Sequence, residues 1–113
     1  MNMEKKTITS ETFAIKLYLA GDIQVAKQVC REETFADPLC VTVTPCSYIY
    51  TGGEEEGYVV GLLNYPRFPA TPERLLERAR SLAERLMVKG CQWSALIVSP
   101  GQTEWITRRE DRA

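Results

Sequence analysis

An α+β sandwich, with two helices on one face of an antiparallel sheet, is the fold class predicted by this 113-residue sequence. Three observations lead there. Several short segments alternate apolar and polar residues, as half-buried strands do. Two longer segments instead carry apolar residues at helical spacing. The two kinds follow one another as strand, helix, strand, strand, helix, strand, with a short fifth strand at the end. The length and the 44% hydrophobic content suit a single domain with its own core.

Residues 1–10 are polar and uneven, so a disordered N-terminal segment is expected ahead of one domain over residues 11–110. "TFAIKLYLAG" opens the domain as a strand, with Phe13, Ile15, Leu17 and Leu19 on one side and Ala14, Lys16 and Tyr18 on the other. Gly21-Asp22 breaks it and starts a helix whose stripe is Ile23, Ala26, Val29 and Cys30. Pro38 ends that helix, because the residue before a proline resists the α region. "LCVTVTPCSYIYT" returns to period two, and Pro45 marks it as an edge strand or the site of a bulge. Gly52 to Gly57 reads as a turn carrying Glu54, Glu55 and Glu56 at its tip, with "YVVGLLNY" as the returning strand of a hairpin.

The second helix has the strongest local signal. Thr71 is a good N-cap, Pro72 suits the first helical position, and Glu73 complements the helix dipole. Leu75, Leu76, Ala79, Leu82, Ala83, Leu86 and Met87 form its stripe, and Gly90 supplies a left-handed stop. "CQWSALIVS" is the next strand, "PGQT" a turn, and "EWITRRE" a short final strand. This order is the split β-α-β arrangement, a ferredoxin-like sandwich in which right-handed crossovers place both helices on one sheet face. The fold hosts many unrelated functions and supplies none by itself.

Composition narrows the chemistry. A net charge of -1 gives no basic field for nucleic acid or anionic membranes, and no apolar run is long enough to span a bilayer, so a cytoplasmic location is expected. The four cysteines, Cys30, Cys40, Cys46 and Cys91, contain no C-x-x-C pair, so no metal site is expected, and Cys30, Cys40 and Cys91 read as buried small hydrophobes. No cofactor is expected either. The histidine count is zero, which removes Ser-His, Cys-His and His-metal catalysis.

The candidate functional residues follow from these limits. Consecutive carboxylates on a turn point apart and lack calcium-loop spacing, so Glu54, Glu55 and Glu56 read as a solvated tip or a docking point for a basic partner. "NYPRFPATPE" is stiffened by prolines and offers Tyr65, Arg67 and Phe68, residue types enriched at binding hot spots. "LYLAG" resembles one motif of RNA-recognition modules, with Tyr18 in the base-stacking position. "GYVVGLL" is a poorer likeness of the other, with Tyr58 aromatic but three glutamates where basic residues belong, and nucleic acid is disfavoured. "YVVGLLNY" and "WSALIV" are apolar on both sides, whereas two helices cover one face. The other face calls for a second copy of the chain, or for the C-terminal segment with Trp105 and Ile106, and a homodimer is expected.

Across most of the domain, "IKLYLAGDI", "YTGGEEEGYVVGLLNYPRFP" and "TEWITRRE" resemble small proteins carried by tailed phages and prophages of bacteria. The resemblance implies an accessory role in an infected cell and brings no active site with it. Together these observations lead to a non-enzymatic module that self-associates and binds a protein partner through Tyr65, Arg67, Phe68 and the acidic tip. The alternatives are a single-stranded nucleic-acid binder using Tyr18 and Tyr58, and a small ligand-binding protein or enzyme using Cys46 or Glu55.

Overall fold

Alternation in "AIKLYLA" makes the central strand, β1 (Ala14–Ala20), whose Ile15, Leu17 and Leu19 are no more than 2% exposed. The computed structural model describes residues 3–109. Residues 1–2 of the expected N-terminal segment and residue 110 of the expected domain lie outside the described residues. After β1 come α1 (Ile23–Ala36), β2 (Val41–Tyr50), β3 (Gly53–Leu63), α2 (Pro72–Lys89), β4 (Ser94–Ser99) and β5 (Gln102–Thr107). The strands form one antiparallel sheet in the order β2-β3-β1-β4-β5, with both helices on one face, and this order is consistent with a ferredoxin-like sandwich. Leu17 sits opposite both Val60 and Ile97, so three strands bring their apolar side chains together beneath the helices.

The helices begin where the sequence places their caps. Asp22 accepts a hydrogen bond from the Gln24 backbone N–H (2.8 Å), and the Thr71 hydroxyl oxygen accepts one from the Arg74 N–H (3.1 Å). The stop of α2 differs from expectation. Gly90 has φ −92, and the left-handed conformation belongs to Cys91 at φ 57. Glycine is needed at 90 for proximity instead, because a Cβ there would stand 2.9 Å from the Leu86 carbonyl oxygen. Cys91 is exposed as a result, Cys30 is buried, and Cys40 is half-buried, which corrects the reading of all three as core residues.

Arg78, on the buried side of α2, donates to the carbonyls of Pro38 (3.1 Å) and Asp37 (3.0 Å). One helix thereby grips the chain leaving the other, which fixes the start of β2.

The hairpin is tighter than expected. Tyr50 pairs with Gly53, so Thr51 and Gly52 are the whole turn, and Gly52 takes φ +86. Glu54, Glu55 and Glu56 therefore belong to β3 and alternate between its two faces. Pro45 lies in β2, an outer strand of the sheet. At the opposite edge β5 joins the sheet beside β4, so the tail does not roof the open face. Its alternation turns Ile106 towards the helices and leaves Trp105 52% exposed on the other side. Among the described residues no helix is long and apolar enough to cross a membrane.

Candidate functional site on the open sheet face

The face opposite the helices carries a shallow hollow of about 190 Å³ at the end of β1. It forms there because the chain places a small residue, Ala20, among large ones. Tyr18 of β1 sits opposite Leu96 of β4, and Leu96 sits opposite Trp105 of β5, giving an aromatic-aliphatic row across three strands. Tyr48 of β2 forms the far wall, Trp93 and Gln92 stand before β4, and Glu55 and Arg109 supply the charge.

Tyr48 owes its place to Gly57. A Cβ on Gly57 would collide with the Leu19 carbonyl oxygen and come within 2.7 Å of the Ala20 Cα and of the Tyr48 ring, so the β1 backbone and the ring together fill the space where another residue's side chain would stand. Its hydroxyl donates to the Tyr58 carbonyl oxygen (2.8 Å). Burial, and then the neighbouring Cys46, push the Tyr48 phenol far above its usual range, so it is a neutral donor and not a base. Glu55 is held differently. The Tyr50 hydroxyl donates to its Oε1 (3.1 Å), and that bond raises the pKa of the Tyr50 phenol. Glu56, on the other face, accepts from the Ser47 hydroxyl (2.9 and 3.0 Å), and Glu54 sits opposite Ile49. Strand alternation thus sends one carboxylate of the three to the hollow.

The other expected residues lie elsewhere. Tyr65 stacks on Phe68 (centroids 5.9 Å apart), and the Arg67 guanidinium lies 5.7 Å from the Phe68 ring centre. Asn64 braces that loop, donating to the Glu11 carbonyl (2.7 Å) and accepting from the Ala70 N–H (2.9 Å). Tyr65, Arg67 and Phe68 follow the end of β3 and the glutamates open it, so an 11-residue strand, roughly 33 Å long, separates the two groups. The tyrosine pair is corrected. Tyr18 lines the hollow, whereas Tyr58 is 2% exposed among the core residues on the opposite face, because it pairs with Leu19 and not with Tyr18. The two cannot stack bases on one surface. Among the described residues no group of three or more His, Cys, Asp or Glu side chains comes together as a metal site.

Sequence reasoning missed Tyr48, Trp93, Trp105 and Arg109 as partners of Tyr18 and Glu55. The period-two alternation assigns most of them a face, but their meeting depends on register across all five strands. A second groove, of about 360 Å³, lies at the other end of β1 between Phe13, Leu76 and Pro100. Its ionisable lining groups are Glu11 and Glu73 alone.

No family model and no curated protein matches the chain. Solved structures do share its fold. A phage SAM lyase in complex with S-methyl-5'-thioadenosine superposes with a TM-score of 0.60 at 11% identity, over 99% of this chain and 100% of that one. A phage SAM lyase in the apo state gives 0.55 at 13% identity, over 88% and 92%. These neighbours are phage proteins, and they are enzymes. The expectation of a non-enzymatic module is thereby corrected. A missing histidine excludes the chemistries that need one, but the same fold elsewhere houses a lyase.

Proposed function

We propose that the hollow binds S-adenosylmethionine and that the protein acts on it as a lyase, releasing S-methyl-5'-thioadenosine. The observation that carries this reading is the hollow itself, since a shared fold alone does not specify chemistry. Its walls are aromatic faces, which stack on a purine and attract a cation, and its acid, Glu55, complements a sulfonium. The end-to-end likeness to a phage SAM lyase supports the same substrate class.

As the carboxylate oxygen of the substrate's own amino acid forms a bond to the side-chain carbon on sulfur, closing a lactone, the carbon–sulfur bond breaks and its electron pair goes to sulfur, which departs as a neutral thioether. The leaving group takes up no proton, so a chain without histidine is no obstacle. Tyr18, Tyr48 and Trp105 would hold the purine and strip water from the cation, and Glu55 would balance its charge until the bond breaks.

At about 190 Å³ the hollow is smaller than the ~300 Å³ at which small-molecule pockets usually begin. The ligand would therefore stand proud of the sheet, and self-association through this face would cover it. The test is chromatographic detection of S-methyl-5'-thioadenosine after incubation with S-adenosylmethionine. The expected result is accumulation of that product, slowed at least about tenfold by Glu55→Gln. No product and no binding from folded protein would discard the reading.

A further inference from the structure

We infer that Arg109 binds the carboxylate of the ligand's amino-acid portion, so that it separates S-adenosylmethionine from S-methyl-5'-thioadenosine. The inference rests on the function proposed above and deepens it. Two consecutive arginines close β5 and are put to different uses. Arg108 turns towards α2, where its Nη2 donates to Glu84 Oε2 (2.6 Å) and its Nη1 lies 4.0 Å from the Met87 sulfur. Arg109 follows it and lines the hollow on the open face.

The backbone is fixed at that point. The Arg108 N–H donates to the Trp93 carbonyl (2.8 Å), and the Arg109 N–H donates to the Thr107 hydroxyl oxygen (3.0 Å). That hydroxyl is itself bonded to the Ser94 hydroxyl (3.0 Å). The backbone that carries the Arg109 side chain is thus fixed beside β4 at the rim.

Among the described residues Arg109 lines the hollow without an anion beside it, unlike the arginines that brace the helices. Arg74, Arg78, Arg80, Arg85 and Arg108 each pair with a carboxylate, whereas Arg109 has no carboxylate partner among the described residues. It lies close enough to act electrostatically on the Tyr50 hydroxyl, the group that holds Glu55. The hollow therefore presents aromatic walls with one acid and one fork of donors that has no carboxylate partner among the described residues. S-Adenosylmethionine carries a purine, a sulfonium and an amino acid with a carboxylate, while S-methyl-5'-thioadenosine keeps the purine and has lost the other two. A guanidinium meets a carboxylate through two parallel hydrogen bonds, a geometry that lysine does not reproduce. A site built this way holds the substrate by a contact the nucleoside product cannot make, which also favours product release.

The test is to titrate S-adenosylmethionine and S-methyl-5'-thioadenosine into the wild type, Arg109→Ala and Arg109→Lys, following the fluorescence of Trp93 and Trp105. Unchanged thermal melting is the control for folding. Arg109→Ala is expected to weaken S-adenosylmethionine about tenfold or more and S-methyl-5'-thioadenosine less than about twofold, with Arg109→Lys between. Equal shifts for both ligands would overturn the inference while leaving the proposed function standing. No change for either ligand would do the same. Failure of the wild type to bind either one would remove both proposals.

Discussion

Gly57 is the residue on which the hollow's far wall depends, because the Leu19 carbonyl of β1 and the Tyr48 ring occupy the space where its side chain would be. Gly57→Ala should cost about 2 kcal/mol by overpacking, read as a lowered urea midpoint, and should displace Tyr48. Two buried acids give the protein an alkaline limit. Burial, and then Glu33 nearby, push the Cys30 thiol from 9.0 to about 11, and burial pushes the Tyr58 phenol from 10.0 to about 12. Both are charged when deprotonated, so the folded chain holds these protons to higher pH than the unfolded chain does. Their contribution is complete below pH 9, and it falls away as pH rises from about 9 through about 12. Denaturant midpoints measured across that range should decline, and Cys30→Ala should flatten the part between 9 and 11.

The helices divide into what local sequence controls and what it does not. Thr71→Ala removes a cap that the sequence announces and should cost about 1 kcal/mol in a denaturant titration. Arg78→Ala removes a grip that only packing reveals. It leaves the Pro38 and Asp37 carbonyls without their donor, at a cost of about 2 kcal/mol by the same measurement. Arg78 lies outside the apolar stripe that the sequence gives this helix. Its guanidinium is buried because the exit of α1 crosses the end of its reach, a long-range fact with no local signature. The hairpin behaves the same way. Two residues suffice for its turn because Gly52 tolerates a positive φ, and this tightness draws the three glutamates into β3.

At the scale of the whole molecule, the open sheet face is the surface we propose for self-association. Leu63 is 42% exposed there and Leu96 37%, alongside the tryptophan of β5. Light scattering should give a mass that is a multiple of 12.8 kDa, and Leu63→Lys, remote from the hollow, should return the mass to a single chain. A single-chain mass for the wild type at every concentration would end that proposal.

Local pattern alone yields the element order, the two helix stripes and the two-sided apolar strands, and it narrows the proline-bearing strand to an edge or a bulge. Each of these follows from periodicity and caps read within a window of a few residues. Which side chains meet is settled by the folded sheet. Tyr18 faces Tyr48, Glu55 and Trp105 because the register of β1, β2, β3, β4 and β5 aligns them, and a slip of one residue would have sent Glu55 to the opposite face and a neighbouring glutamate to the hollow. Register is a property of paired strands, fixed by turn length and by which apolar sets can be buried together, so no single strand carries it.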